Sequence, residues 1–220
     1  MAVEIIKCPP LTPERALAEV RAQLGERTPT VTELVRYIPD PAWFARDPFG
    51  IHGIGHEARV LVLGAVLGRL LIKNGISVDE EAMRWFASTH DVCRLEDGPD
   101  VEHGARSSLW IYGHMEGVIP ENKMAHVSYL NRWHVPSDLL APNLTPTLKA
   151  AKESDGLDRV RDTEWGGLCV SILRYDISRS LMAPTAMKLH AMSTTSPEWA
   201  KNQVKAVMAA AVEMEILRNE

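Results

Sequence analysis

His56-Glu57-Ala58-Arg59-Val60-Leu61-Val62-Leu63-Gly64-Ala65-Val66-Leu67-Gly68-Arg69-Leu70-Leu71-Ile72-Lys73-Asn74-Gly75 is the stretch on which the fold turns. Val60, Leu63, Leu67, Leu70 and Leu71 recur at helical spacing, and Asn74-Gly75 supplies a stop. The most apolar part, Val60–Gly68, is closed by Arg69. It falls far short of the roughly 20 residues that cross a bilayer, so it predicts a core helix and no membrane partner.

Signals on either side continue the helical pattern. Thr12-Pro13-Glu14 reads as an N-cap, a proline at the first helical position and an acid near the positive helix end, with Gly25 as the stop. A short helix is predicted over Val31–Ile38. Pro39, Pro41 and Pro48 then make Pro39–Gly55 an irregular connection. Ser77-Val78-Asp79-Glu80 fits a capping box that opens a helix carrying Met83, Trp85 and Phe86 toward His90-Asp91. An acidic, turn-rich segment, Leu95–Val101, reads as either a lid or a solvated loop. Further helices are predicted over Glu102–Glu116, from Pro120 to about Trp133, over Thr147–Arg161 with Gly156 as a weak point, and over Leu168–Ser180. Val135–Pro146 reads as a proline-rich loop. Ser196-Pro197-Glu198 is predicted to cap a final helix that reaches toward Leu217. Its apolar line, Val204, Val207, Met208, Ala211 and Met214, fits either a cap on the bundle or a homodimer seam. Alternating β patterns are nearly absent. The fold class read from the chain is all-α, a helical bundle, with residues 1–220 as a single domain.

Composition sets outer limits. The chain has 220 residues, 45% of them apolar, and a chain of that length buries about 70% of its unfolded surface. Charged residues make up 24%, which argues against wholesale disorder. Lys and Arg number 24 against 29 Asp and Glu, a net charge of −5. That balance argues against a broadly basic nucleic-acid surface and leaves room for a local basic pocket. Met1–Leu11 has no secretory pattern. Cys8, Cys93 and Cys169 form no CxxC pair, so reduced thiols and a cytoplasmic protein are expected.

The histidines carry the chemistry. His90-Asp91 ends an apolar helical segment, where an imidazole nitrogen and a hard carboxylate oxygen can bind one divalent ion. Alone, the dipeptide reads more simply as a surface polar pair. His56 opens the long helix as His56-Glu57-Ala58-Arg59-Val60. Downstream stands Lys152-Glu153-Ser154-Asp155-Gly156-Leu157-Asp158-Arg159-Val160-Arg161. His52, between Gly53 and the preceding turn, reads as a pocket-mouth histidine and not a ligand. His114 and His190 read as surface or packing histidines. Trp43, Trp85, Trp110, Trp133 and Trp165 could stack a nucleobase, but at helical spacing they read more simply as core. Met208 and Met214 read as packing.

The order His, His-Asp, then Asp ahead of a Leu and a basic residue resembles the HD-domain superfamily of metal-dependent phosphohydrolases. The resemblance covers about Ile51–Arg161, roughly half the chain, as a metal-binding core of about residues 51–161. It implies a helical bundle of the HD-domain type and maps metal ligands onto His56, His90, Asp91 and Asp155. Asp155 is preferred to Asp158 because it stands two residues before Leu157. Asp158, one helical turn on, would hold a ligand histidine from behind. Some members carry two further histidines for a second metal, and His103 and His134 match that order. The alternatives are a helix-capping His103 and a loop His134, with His126 competing for the latter's role. Arg59, on the face of His56, and Arg94 are the candidate phosphate-binding arginines. Lys152, Arg159 and Arg161 read as surface charges.

A set of nitrogen and oxygen donors without thiolate suits a divalent transition metal, Mn, Fe, Co, Ni or Zn, one per chain or two. The resemblance implies a hydrolase for a small-molecule phosphate monoester or nucleotide substrate, with Asp91, Arg59 and Arg94 in the machinery and metal-bound hydroxide attacking phosphorus. Two other readings stay open. One is an HD-domain diiron oxygenase that uses His103 and His134 as extra ligands. The other is a non-catalytic nucleotide-binding regulatory module.

Overall fold

The apolar run from residue 56 forms the central helix. A computed structural model describes residues 11–162 and 166–220, so Cys8 and Trp165 lie outside the described residues, as does most of Met1–Leu11. Nine α-helices are present among the described residues: α1 Pro13–Leu24, α2 Val31–Leu34, α3 Ile54–Lys73, α4 Glu80–Ala87, α5 His103–His114, α6 Glu121–Trp133, α7 Pro146–Leu157, α8 Ala183–Thr194 and α9 Gln203–Glu213. No strand forms among the described residues, and one isolated backbone bridge joins Thr30 to Arg218. The all-α bundle is as expected. No helix is long and apolar enough to cross a membrane.

Seventeen of the 20 residues of α3 are buried, because the helix is apolar on nearly every side and other helices must cover it. α4, α7 and α9 pack directly on it, α1 lies across it, and α5 and α6 form an adjoining pair. At its C-terminus the Asn74 amide donates to the Leu70 carbonyl at 2.8 Å, and Gly75 takes φ +79°. That left-handed turn is one that glycine makes at little cost.

Local signals elsewhere hold in most places. Thr12 accepts from Arg15 N, and Pro13 starts α1. Thr147–Arg161 contains α7 followed by a 3₁₀ turn, Asp158–Arg161, with the change falling just after Gly156. The line Val207, Met208, Ala211 and Met214 is buried in the chain's own core, so α9 caps the bundle.

Three expectations are corrected. The cap of α4 is Asp79, whose carboxylate accepts from Ala82 N, and not Ser77. Leu168–Ser180 is not one helix, since only the residues from Asp176 onward are helical beyond a short 3₁₀ turn at Val170–Ile172. The buried Glu153 carboxylate accepts the backbone N–H groups of Arg174 and Tyr175, and Arg174 is drawn to Asp138, so tertiary bonds hold this segment out of helical geometry. A π turn, Ser178–Met182, then leads into α8, a helix the local signals leave unassigned. Ser196-Pro197-Glu198 does not open the last helix either. Asn202 does, accepting from Lys205 N at 2.9 Å. The intervening turns place the Trp199 ring 5.3 Å from the Arg59 guanidinium carbon.

Candidate metal centre

Three separate elements contribute four donor residues to one point. His56 lies in the first turn of α3, His90 and Asp91 in the turn after α4, and Asp155 in the last turn of α7. His56 Nε2 is 3.1 Å from His90 Nε2, and 3.5 Å from both Asp91 Oδ2 and Asp155 Oδ1. His90 Nε2 is 3.9 Å from Asp91 Oδ2 and 3.7 Å from Asp155 Oδ1. Bonds of about 2.1 Å place neighbouring ligand atoms of an octahedral ion about 3 Å apart, so these spacings fit a single divalent ion.

Asp91 faces a second cluster with its other oxygen. Asp91 Oδ1 is 3.0 Å from His103 Nε2, which is 2.9 Å from His134 Nε2. His103 opens α5 and His134 follows the end of α6. The helices come this close because residue 104 has no side chain. A Cβ there would lie 2.5 Å from the Asn131 carbonyl oxygen and 3.0 Å from His134 Cε1. Three groups are close enough to hold a metal ion: His52, His56 and Asp91; His56, His90 and Asp155; and Asp91, His103 and His134, so His52, read from the sequence as a non-ligand, stands among the candidate donors. His126 is not part of any of them. Its Nδ1 bonds Asp79 at 3.1 Å on another face.

The outward nitrogens of these histidines are oriented by acceptors. His56 Nδ1 donates to Asp158 Oδ2 at 2.8 Å, and His134 Nδ1 to the Asn131 carbonyl at 2.6 Å. His103 Nδ1 meets the Asp100 carbonyl. His90 Nδ1 has no hydrogen bond and lies 4.0 Å from the buried Glu57 Oε1. Committed Nδ1 protons leave Nε2 lone pairs facing one another, which repel unless a cation sits among them. A metal ion or a proton can fill that role.

The electrostatics agree. Burial disfavours charge on His90, but the Asp91 and Asp155 carboxylates overcome it and push its pKa up to about 9. Burial lowers His56 to about 3, aided by the Arg161 charge, and burial and His103 lower His134 to about 3. Burial works against ionised Asp91 and Asp155, yet the adjacent His90 keeps both well below the ordinary carboxylate range. Glu57 is raised well above its ordinary value by burial.

A cavity of about 270 Å³ opens over the donors, with His52, Arg94, Arg159 and Arg161 in its walls. Arg94 Nη1 lies 3.2 Å from His103 Nδ1 and 3.8 Å from Asp91 Oδ1. Arg161 Nη2 is 3.2 Å from His52 Nδ1. The acidic turn is a stapled wall. Arg46 bonds Leu95 O and Asp97, Arg94 bonds Gly98 O, and Arg106 pairs with Asp100.

Arg59 is corrected. It shares the face of His56, but that face points into the core. It is 3% exposed, and its Nε and Nη2 donate to Asp158 at 2.6 and 3.0 Å, so it holds Asp158 and does not line the cavity. Arg159 and Arg161, read as surface charges, do line it. His52 lies deeper than a pocket-mouth residue, with Nδ1 2.9 Å from Asp91 Oδ2. Glu57 was missed, although a carboxylate beside His56 on a wholly apolar helix was a usable signal. Trp43, Trp85, Trp110 and Trp133 belong to the core or pack against it, and none lines the cavity. Compared with protein-family models, with curated proteins and with solved structures, the chain matches none.

Proposed function

We propose that the chain is a metal-dependent phosphohydrolase of the HD-domain type, acting on a small phosphate monoester or nucleotide. One observation carries this reading: the donors of His56, His90, Asp91 and Asp155 converge beneath a cavity walled by Arg94 and Arg161. Their order and separate origins agree with the HD-domain resemblance. A divalent ion supplies Lewis acidity and makes water acidic enough to act as a nucleophile near neutral pH. The chain's own residues do the rest. Arg94 and Arg161 present guanidinium forks to phosphoryl oxygens and offset the charge that develops there. Asp158 orients His56 from behind, and Glu57 accepts the Asp91 backbone N–H. In the reaction, water adds to phosphorus, the ester P–O bond breaks, and the alcohol and orthophosphate leave.

The test is phosphate release from a panel of monoesters and nucleotides with Mn, Fe, Co, Ni or Zn. Release that disappears in Asp91→Ala is expected. Wild-type rates in that variant, or no release with any metal, would overturn the reading.

The six-residue set with Asp91 common to both halves favours a second reading, a diiron oxygenase. Two iron equivalents and oxygen consumption without phosphate release would place it first. A nucleotide-binding module gains no such support, since no Phe, Tyr or Trp lines the cavity among the described residues.

A further inference from the structure

Next to the metal centre lies a second cleft of about 290 Å³. His134, Val135, Asp155 and Arg159 belong to both walls, so the two spaces adjoin. The second cleft is basic. Lys152, Arg159 and Arg174 line it, against Asp138. With Asp155 assigned to the metal centre, three cations face one carboxylate.

These charges are built into position. The Lys152 side chain is 5% exposed, and its Nζ donates to Pro136 O at 2.6 Å and to Asp138 Oδ1 at 2.7 Å. Arg174 grips the same carboxylate through Nε and Nη2, both at 2.7 Å. One carboxylate therefore holds two cations. The single Asp138 charge leaves the pair with one positive charge uncancelled. Arg159 has neither an ion-pair nor a hydrogen-bond partner among the described residues, and it stands on the wall between the two spaces. Concentrated, fixed positive charge of this kind recognises an anion.

We infer that this cleft is a second anion subsite and that the substrate carries two anionic groups, one at the metal centre and a phosphate or carboxylate held by Arg159, Arg174 and Lys152. That the first group is a reacting phosphoryl rests on the proposed hydrolase. The subsite itself rests on the cleft. Neither space is lined by Phe, Tyr or Trp among the described residues, and both are small. The substrate class is therefore a short, hydrophilic, doubly anionic phosphate ester without a nucleobase.

The experiment is calorimetric binding to the metal-loaded full chain at low salt. The probes are propylphosphonate, 3-phosphonopropionate and propane-1,3-bisphosphonate. One charge-assisted contact predicts that the doubly anionic probes bind about tenfold tighter than propylphosphonate. The better of the two names the second group as carboxylate or phosphate. Arg159→Ala should abolish the ratio between the doubly anionic probes and propylphosphonate, and Arg159→Lys should keep part of it. Because Arg159 is exposed and has no partner among the described residues, this substitution spares the fold, and Arg174→Gln gives an independent loss. Equal affinity for all three probes, or an advantage that survives in both variants, would overturn the subsite. An Arg159-dependent advantage without phosphate release by any metal would leave the subsite and remove the hydrolase. Release from simple monoesters with no gain from a second charge would do the reverse.

Discussion

Replacing Asp158 by alanine tests the support beneath the candidate metal centre. Asp158 is fully buried and accepts four bonds, from His56 Nδ1 at 2.8 Å, Arg59 Nε at 2.6 Å, Arg59 Nη2 at 3.0 Å and Arg161 Nη1 at 3.5 Å. Burial works against its ionisation, but Arg59 and His56 hold its carboxyl far below the ordinary range. Removing it strands the Arg59 guanidinium, at 3% exposure, without a counter-charge. Breaking such a pair costs about 3–5 kcal/mol. That is a large part of the roughly 5–15 kcal/mol that stabilises a domain. For about 200 residues it lowers Tm by roughly 6–20 °C. His56 also loses the bond that fixes its tautomer, which costs about 10- to 100-fold in metal affinity. Urea unfolding of metal-free protein reads the first effect without ligand linkage, and metal titration reads the second. The double variant Arg59→Met with Asp158→Leu separates them, since an apolar pair can match or exceed a buried ion pair in stability. Stability should return while metal affinity stays low. A loss below about 1 kcal/mol in Asp158→Ala, or metal affinity restored by the double variant, would refute the reasoning.

Other substitutions address the remaining parts. Gly104→Ala should drive the Asn131 carbonyl and His134 away from His103, so a protein that binds two metal equivalents should fall to one, read by elemental analysis. His90 titrates at about 9 in the metal-free fold against about 6.5 unfolded. Its raised pKa contributes stability that is fully present below about pH 6.5 and lost as pH rises through 9. A ligand histidine must be neutral, so metal uptake at pH 7 should release one proton, and affinity should rise about tenfold per pH unit up to pH 9. Calorimetry in buffers of different ionisation enthalpy checks this, and uptake without proton release would count against it. Arg161→Ala should weaken inorganic phosphate binding about tenfold or more while leaving metal content unchanged.

The core was legible where one element carries its own signal. The run from Val60 to Leu71 is apolar all round, so it had to be buried, and Thr12-Pro13 and Asn74-Gly75 bound their helices through contacts within one turn. Leu168–Ser180 was not legible, because the backbone N–H groups of Arg174 and Tyr175 go to Glu153, about 20 residues away in sequence. The turns before Asn202 escape local reading for a similar reason: Trp199 is held over Arg59 from a distant helix. At the site, the family resemblance pointed to His56, His90, Asp91, Asp155, His103 and His134, and the fold brings them close enough to hold a metal ion. Arg59 was misplaced because helical spacing says which residues share a face but not what that face meets. Arg159 and Arg161 were missed because the 3₁₀ turn after Leu157 swings both toward the cavity.

The central claim is that His56, His90, Asp91 and Asp155 hold a transition metal. Elemental analysis of the anaerobically purified 220-residue chain, beside His56→Ala, tests it most directly. The account predicts at least one equivalent per chain in the parent, with that equivalent lost in the variant. A parent chain that carries no metal and takes up none on reconstitution, or a His56→Ala chain with unchanged content, would contradict it.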